Sequence, residues 1–261
     1  NLFTMKNALI GFTGFVGSSL LKQTKFEFLY RSTNIKEIEG GIFDFVVCAG
    51  APAQKWVANR EPEEDLEKIN GLIANLKNIK CKTFILISTV DVFKYPIGVD
   101  ENSLVDESGL NPYGLNRRIL EKFVENHFSN HLIIRLPGLV GPGLRKNVIF
   151  DFLNNNNLRA IESRAVFQFY PMVNLWYDIQ TALKAGLNLV HLTAEPISVA
   201  DVSIECFGQI FNQELTGVPP SYDFRTIHSK VFSREGNYHY RECEIIQAIR
   251  SYAQSEPLSI K

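Results

Sequence analysis

The stretch IGFTGFVGSSLL (residues 10–21) places three glycines between an apolar run and an amphipathic segment. Gly11 permits a tight turn, Gly14 lets a ligand approach the backbone, and Gly17 lets a following helix pack closely on the preceding strand. The helix would present unpaired N–H groups and the positive end of its dipole, which bind phosphate. A purely structural turn is the alternative. We predict a dinucleotide site with contacts from Gly11, Thr13, Gly14, Phe15, Val16 and Gly17.

Strand-like and helix-like segments alternate through the first half of the chain. Short apolar runs at 7–12, 44–50 and 82–90 read as strands buried on both faces, and amphipathic segments at 61–78 and 113–128 read as helices. This alternation predicts an α/β, Rossmann-type doubly wound parallel sheet followed by a small C-terminal α/β substrate lobe. The predicted domains are a nucleotide-binding domain over 5–145 and a mixed lobe over 146–261 that partly returns to the main sheet.

The composition excludes several classes of function. The chain has 261 residues, of which 45% are hydrophobic and 21% charged, and its formal net charge is −1. This balance gives no reason to expect nucleic acid or a membrane surface as a partner. No run approaches the ~20 apolar residues of a membrane span. Four separated cysteines without a CxxC pair, and histidines without metal spacing, favour a metal-free protein of the reducing cytoplasm.

The end of the second predicted strand bears on the choice of cofactor. In LYRSTN (29–34), Arg31 and Ser32 follow the strand, and no carboxylate appears before Glu37. A carboxylate here would favour NAD, whereas arginine can pair with a 2′-phosphate. The residues therefore favour NADP over NAD, although an ordinary solvated arginine beside a turn would look the same.

Small residues follow the strand at 44–47. In CAGAPAQKW (48–56), Cys48, Ala49 and Gly50 would allow a cofactor to approach closely. The same segment supplies three candidate substrate contacts, Ala51, Lys55 and Trp56. The alternative for Lys55 and Trp56 is an ordinary surface lysine and a packing tryptophan.

A possible proton-transfer group lies further along the chain. ILISTVDVF (85–93) puts Thr89 at the carboxyl end of a buried strand, where ligands bind in open α/β sheets. Tyr113 follows on a predicted helix, with Arg117 one turn later on the same face. A tyrosine with an ordinary pKa of about 10 needs a neighbouring cation to transfer a proton near neutrality. Thr89 could hydrogen-bond the same substrate oxygen.

These stretches resemble the short-chain dehydrogenase/reductase superfamily, in its extended or atypical NAD-dependent epimerase/dehydratase branch. The resemblance rests on GFTGFVG, VVCAGAP, STVDVF followed by YGLNRRILE, and RLPGLVGPG, and covers roughly residues 6–145. The family has a Ser/Thr strand end, then Y-x-x-x-K and a later glutamate. Thr89, Tyr113 and Glu121 match this pattern, but Arg117 stands where the family has lysine. The short segment between residues 30 and 44 resembles the compact deoxysugar-nucleotide reductases of the branch.

The resemblance implies further site residues. Asn70, in EKINGL, matches the asparagine of the family's catalytic tetrad, and Pro137 and Gly138 would lie beside the nicotinamide. In the substrate lobe, the expected contacts are Asn147, Gln168 and Tyr170.

The family suggests hydride transfer to or from a nucleotide-activated sugar or related polyol, by reduction or epimerisation. Tyr113 would be the acid/base, Thr89 would orient the oxygen, and Arg117 would support phenolate and ribose. Dehydration is disfavoured because Val90 and Asp91, and not an Asp-Glu pair, follow Thr89. Family dimers pair the tyrosine-bearing helix, so a homodimer is an expectation. The alternatives are a non-catalytic NAD(P)-binding sensor or scaffold, and a reductase of a small aldehyde or quinone.

Overall fold

The computed structural model describes residues 5–257 and divides the chain into two compact units that interleave in sequence. The first unit contains the residues up to 94, 104–135 and 176–190. The second unit contains 95–103, 136–175 and the residues from 191 onward. Each unit is therefore built from separate segments of the chain.

Twelve strands and eight helices make up the described structure. The strands are β1 (Asn7–Ile10), β2 (Phe28–Tyr30), β3 (Ile42–Cys48), β4 (Lys80–Thr89), β5 (Ile97–Val99), β6 (His131–Leu136), β7 (Gly138–Val140), β8 (Val166–Phe167), β9 (Phe169–Pro171), β10 (Leu189–His191), β11 (Ile197–Ser198) and β12 (Asp223–Phe224). The helices are α1 (Phe15–Gln23), α2 (Lys55–Arg60), α3 (Pro62–Leu76), α4 (Pro112–His127), α5 (Asn147–Asn154), α6 (Leu175–Lys184), α7 (Val199–Phe207) and α8 (Glu242–Ser255).

The first unit is organised around a six-stranded parallel sheet with strand order β10-β6-β4-β3-β1-β2. The strand order reverses at β1, which pairs with β2 on one side and β3 on the other. In open α/β sheets this reversal creates a crevice at the carboxyl ends of the central strands. The predicted α/β, doubly wound fold class is confirmed.

The buried parts of the central strands are apolar because both faces of the sheet are covered. Leu9 and its neighbours Ala8 and Ile10 are all at most 2% exposed. On one face, Phe84 stacks on Phe128, with ring centroids 4.2 Å apart. Helices α3 and α4 pack against each other, and α4 also packs on β4.

Proline starts the helix predicted over 61–78. The structure has this helix as α3, with Pro62 at its first position, and a separate short helix, α2, precedes it. Proline has no N–H to donate and is favoured at that position, so it starts a new helix. Pro137 likewise ends β6, and the short strand β7 follows it.

The second unit contains three two-stranded sheets and three helices. Its strands pair as β5 with β12, β7 with β9, and β8 with β11. Helix α8 begins with a capping box, in which Glu244 accepts a hydrogen bond from the backbone of Arg241. The Tyr252 hydroxyl on this helix donates to the Leu144 carbonyl at 2.9 Å. No helix within residues 5–257 is long and apolar enough to span a bilayer.

A buried charge links α4 to the sheet. Glu121 is fully buried and accepts two hydrogen bonds from the Arg135 guanidinium on β6, at 2.9 and 2.8 Å. The Ser88 hydroxyl donates to the same carboxylate at 2.6 Å, and Arg118 donates at 2.8 Å. Burial tends to raise the pKa of Glu121, but the hydrogen bonds and charges of Arg135, Ser88 and Arg118 outweigh it and lower the pKa.

We therefore expect Glu121→Gln to lower the free energy of unfolding by about 3–5 kcal/mol at pH 7, because the buried Arg135 guanidinium would lose the carboxylate charge that accepts two of its hydrogen bonds. Since the folded pKa of Glu121 lies below its unfolded value of about 4.3, the contribution is complete above that pH and is lost as the pH falls through the folded value. Urea titrations of both proteins between pH 3 and 7 measure the difference. Glu64→Gln, at an exposed pair with Lys68, is the matched control and should change little. A pH-independent difference would contradict this account.

Candidate active site

The turn after β1 is built on two close backbone contacts. Gly11 has a φ of +84°, and a Cβ at this position would lie 2.3 Å from the Ala49 carbonyl oxygen. A Cβ on Gly17 would lie 2.1 Å from the Gly11 carbonyl oxygen. Both glycines are thus required for the turn to pack between β1, α1 and the segment after β3. This arrangement fits the roles that the glycine spacing predicted for them.

Gly14 differs because the space beside it is open. A Cβ there would meet the Gly11 carbonyl oxygen at an ordinary 3.5 Å. Gly14 and Thr13 are exposed, and Gly14 is the N-cap of α1, whose first turn has neither a side-chain cap nor an acidic residue. Phe15 and Val16 begin the helix. Its first N–H groups and positive dipole end therefore face open space, which fits an anionic pyrophosphate.

Arg31 and Ser32 are both exposed directly after β2. The Arg31 side chain donates from Nε to Thr33 Oγ1 at 3.0 Å, and its guanidinium carbon lies 5.9 Å from the centroid of the Phe12 ring. The guanidinium is therefore held near the glycine turn, at the end of the strand adjacent to β1. This placement fits recognition of a ribose phosphate.

The segment after β3 is closely packed at its start. Cys48 is buried, and burial raises the pKa of its thiol to about 11. The Ala49 N–H donates to the Ile10 carbonyl at 2.9 Å, and a Cβ on Gly50 would lie 2.8 Å from the Ile10 side chain. Ala51 is half-buried. The close packing of Ala49 and Gly50 against Ile10 therefore requires small residues after β3. The raised pKa keeps the Cys48 thiol neutral near pH 7.

Helix α4 begins against the loop after β4. The Asn111 side chain caps the helix by accepting from the Gly114 N–H at 2.9 Å. A Cβ on Gly114 would lie 2.0 Å from the Asp91 carbonyl oxygen, so glycine allows the helix to approach this loop. From α2, the Asn59 side chain accepts from the Tyr113 N–H at 3.0 Å. These contacts fix the backbone of Tyr113 beside the carboxyl end of β4.

Thr89 lies close enough to Tyr113 for its hydroxyl to affect the pKa of the phenol. The Thr89 hydroxyl accepts from the Asp91 N–H at 3.1 Å and donates to Asp91 Oδ2 at 3.4 Å. Lys55, on α2, donates to the other Asp91 carboxylate oxygen at 2.7 Å.

Arg117 is buried, at 3% exposure, and its terminal nitrogens are engaged. One bonds to the Asp65 carboxylate on α3 and the other to the Pro52 carbonyl. Asn116 also donates to Asp65, at 2.7 Å. The guanidinium carbon lies 4.0 Å from the centroid of the Tyr113 ring, in a cation–π contact. Arg117 thus supports the tyrosine ring from its face, while its terminal nitrogens bind α3 and the segment after β3.

The phenol of Tyr113 is neutral near pH 7. Burial raises its pKa above the ordinary value, and the Asp91 carboxylate acts in the same direction. The charges of Arg117 and Lys55 and the Thr89 hydroxyl lower the pKa but do not compensate for burial. Arg117 is therefore the neighbouring cation that the sequence analysis required and it acts to lower the pKa, but burial determines the net shift.

Other residues predicted in the first unit lie around this group or outside it. Asn70 is exposed on α3, about 140° around the helix from Asp65, and is outside the group gathered at Tyr113. Trp56 is 63% exposed on α2, and its ring lies beneath the Arg60 guanidinium at 4.9 Å. Lys55 and Trp56 therefore occupy neighbouring positions at the start of the helix that anchors Tyr113.

The predicted residues of the second unit are mostly committed to its own structure. Gln168 is buried, and its side chain donates to Thr193, Ala194 and Phe224 and accepts from the Phe224 N–H. Tyr170 is fully buried and packs edge-to-face on Tyr240. We therefore leave both residues out of the proposed site.

The remaining second-unit residues lie near β7. Asn147 donates to the Leu139 carbonyl at 2.9 Å and accepts from the Ile149 N–H at 3.0 Å. Pro137 is buried, and Gly138 is exposed. A Cβ on Gly138 would lie 2.5 Å from the Gln168 carbonyl oxygen, so its small size serves the pairing of β7 with β9.

Sequence reasoning missed four residues that organise the site. Asp65, Asn59 and Gly114 act through contacts between elements distant in sequence, and no local pattern indicates those contacts. Asp91 did carry a signal, because it stands two residues after Thr89 at the carboxyl end of a buried strand. Within residues 5–257, no group of three or more His, Cys, Asp or Glu side chains is arranged to hold a metal ion.

Comparisons with known proteins establish the fold. No protein-family model and no curated protein matches the sequence. Among solved structures, the chain is similar to a dTDP-4-dehydrorhamnose reductase from Clostridium acetobutylicum, with a TM-score of 0.73 and 16% identity over 96% of this chain and 99% of that one. The chain is also similar to RMD from Pseudomonas aeruginosa, solved with NADPH, with a TM-score of 0.71 and 16% identity over 96% of this chain and 98% of that one. Its similarity to a UDP-glucuronic acid 4-epimerase from Bacillus cereus, solved with NAD, has a TM-score of 0.69 and 16% identity over 96% of each chain. The fold expected from the resemblance to the extended short-chain dehydrogenase/reductase branch is confirmed.

We expect Arg117→Met to lower the free energy of unfolding by about 3–5 kcal/mol, because the buried Asp65 carboxylate would keep only the Asn116 amide as a partner. The double variant Arg117→Met/Asp65→Leu removes both charges and should regain most of this loss. Urea unfolding at pH 7 measures all three proteins. Arg60→Met, at an exposed pair with Glu61, is the control for loss of a surface charge. A fully stable Arg117→Met single variant would show that the pair does not hold the helices together.

Proposed function

We propose that this chain is an NAD(P)-dependent reductase of a nucleotide-activated sugar, with Tyr113 as the proton donor and Thr89 orienting the substrate oxygen. One observation carries the proposal. A neutral phenol beside Thr89 lies at the carboxyl end of β4 in the same unit as an open glycine turn that fits a pyrophosphate. This combination supplies a proton donor and a dinucleotide site at one edge of one sheet.

The residues present fit a nicotinamide dinucleotide. Gly11, Gly14 and the first turn of α1 would hold the pyrophosphate, and the small residues after β3 would line its path. When bound, the nicotinamide supplies the hydride. NADP is favoured over NAD because Arg31, and no carboxylate, follows β2. Similar folds were solved with NADPH in one case and NAD in another, so the preference rests on Arg31.

Tyr113 and Thr89 would act on the substrate oxygen. The phenol is protonated near pH 7, so it can donate from Oη to a carbonyl oxygen as the carbon is reduced. The positive charge of Arg117, 4.0 Å from the ring centroid, then favours the phenolate that remains. Epimerisation would use the same residues, but a resting enzyme with a neutral phenol is prepared for the reductive direction.

The substrate class rests on the structural neighbours. Two of them act on dTDP- or UDP-linked sugars by their names. On this chain, Lys55 and the exposed Trp56 of α2 lie at the start of the helix that anchors Tyr113, and they are the proposed substrate contacts together with Ala51. A cytoplasmic location and a homodimer formed through α3 and α4 belong to the same proposal, and sedimentation velocity would measure the dimer.

A non-catalytic NAD(P)-binding sensor is the second candidate. It is favoured by the engagement of both terminal nitrogens of Arg117 with Asp65 and Pro52, which leaves them committed away from a cofactor ribose. The two candidates share cofactor binding and differ in turnover. Binding and chemistry must therefore be measured separately.

We expect Gly14→Ala to reduce the affinity for NADPH at least tenfold without changing the melting temperature. The added methyl meets no protein atom closer than 3.5 Å but occupies the space where a phosphate would approach. Fluorescence titration with NADPH and NADH in parallel also measures the preference attributed to Arg31. Gly71→Ala, in open space on α3, is the matched control. Equal affinity of Gly14→Ala and the native chain would place the nucleotide elsewhere or nowhere.

Tyr113→Phe tests the chemistry directly. We expect the single-turnover rate of dTDP-4-dehydrorhamnose reduction by bound NADPH to fall by about 10²–10⁴-fold, because loss of a general acid typically costs that much. NADPH affinity should be retained, since the ring and its contact with Arg117 persist. Equal residual rates for Tyr113→Phe and the native protein, with intact NADPH binding, would favour the sensor.

A further inference from the structure

The Arg31 guanidinium is exposed, so neighbouring residues must hold it in place if it is to recognise a phosphate efficiently. A free arginine side chain has many rotamers, and fixing one of them when a ligand binds costs up to roughly tenfold in affinity. A side chain that is already held in its binding position avoids much of this cost. The turn that follows β2, residues 31–34, contains hydrogen bonds to both the backbone and the side chain of Arg31.

The backbone of Arg31 has a fixed position relative to the glycine turn. Strands β1 and β2 pair in parallel with Ile10 opposite Tyr30, and the Gly11 N–H donates to the Tyr30 carbonyl at 2.8 Å. Gly11 and Arg31 are the next residues along these two paired strands. The proposed pyrophosphate site and Arg31 therefore begin at the same pair of strand ends.

Asn34 fixes the turn that carries Arg31. Its side-chain oxygen accepts from the Arg31 N–H at 2.7 Å, and its side-chain nitrogen donates to the Leu29 carbonyl at 3.1 Å. The Asn34 backbone N–H donates to the Arg31 carbonyl at 3.0 Å. Asn34 is half-buried, whereas residues 31–33 are exposed. One anchored amide therefore joins β2 to the turn and holds the backbone from which the Arg31 side chain extends.

Thr33 orients the guanidinium itself. Arg31 Nε donates to Thr33 Oγ1 at 3.0 Å, and the guanidinium carbon lies 5.9 Å from the centroid of the Phe12 ring, beside the glycine turn. Within residues 5–257 the guanidinium makes no further hydrogen bond and no ion pair. The contact through Nε thus leaves the two terminal nitrogens available, and a planar guanidinium uses such nitrogens to bind phosphate oxygens.

We propose that Thr33 and Asn34 are positioning residues that set the preference for NADP over NAD, because they hold the Arg31 guanidinium ready for a 2′-phosphate. The inference rests on the proposed function, in which Arg31 contacts the ribose phosphate. The group recognised is a phosphate monoester on a ribose, which can accept two parallel hydrogen bonds from one arginine. NAD has a hydroxyl at that position, so the loss of Thr33 or Asn34 weakens the binding of NADPH much more than that of NADH.

Affinities for NADPH and NADH, measured by isothermal titration calorimetry without substrate, test this inference. We expect Thr33→Val, which replaces the hydroxyl by a methyl group, to reduce the ratio of NADPH to NADH affinity by about threefold to tenfold. Thr33→Ser retains the hydroxyl and should keep the native ratio. Asn34→Ala should reduce the ratio by roughly tenfold, because the backbone of Arg31 is also released. The matched control is Asn75→Ala, at a half-buried position of α3 whose amide also donates to a backbone carbonyl.

A partly unfolded variant lowers both affinities by the same factor, so the ratio still decides. Equal losses for Thr33→Ser and Thr33→Val would show that the hydroxyl does not orient Arg31. The variant Arg31→Met separates failure of this inference from failure of the proposed function. If Arg31→Met loses the preference for NADPH while Thr33→Val and Asn34→Ala keep it, Arg31 binds the phosphate unaided and the inference is wrong. If Arg31→Met keeps the native ratio, or if the native chain binds neither nucleotide, the proposed phosphate contact itself is wrong, and the inference fails with it.

Discussion

The buried ion pair between Arg117 and Asp65 determines how the site is assembled. It joins α3 to α4, and the second guanidinium nitrogen binds the Pro52 carbonyl after β3. Both side chains are at most 4% exposed, so neither charge could remain in place without the other. The same guanidinium lies against the face of Tyr113. Arg117, which stands where the resembled family has a lysine, is thus also a structural element of the core.

The features that sequence predicted well are local. The spacing of Gly11, Gly14 and Gly17 specifies a turn between a strand and a helix, and each role follows from the absence of a Cβ. Apolar runs predicted the central strands because a parallel sheet is covered on both faces. The approach of Thr89 to Tyr113 followed from a strand end and a helix start that the fold places at the same edge of the sheet.

The parts that could not be predicted depend on contacts between distant segments. Nothing near Arg117 in sequence indicates that Asp65 will neutralise it, and nothing near Lys55 indicates Asp91. The same limit applies to Gln168, whose amide is polar enough to suggest a ligand contact but satisfies four buried hydrogen-bonding groups of the second unit. Burial also decided the net pKa shift of Tyr113, and the depth of burial of one phenol is a tertiary property.

Because a new helix begins at Pro62, α2 is a separate short helix whose sequence can change without changing that of α3. Among the described residues of this six-residue helix, Ala58 is the one buried side chain. Mutations at its exposed positions other than Lys55 and Asn59, which bind Asp91 and the Tyr113 N–H, therefore disturb little of the core, and these positions can diverge between lineages more freely than the strands beneath the helix. Descendants of such a protein could acquire new molecular preferences through α2 while inheriting the tyrosine and its supporting arginine unchanged.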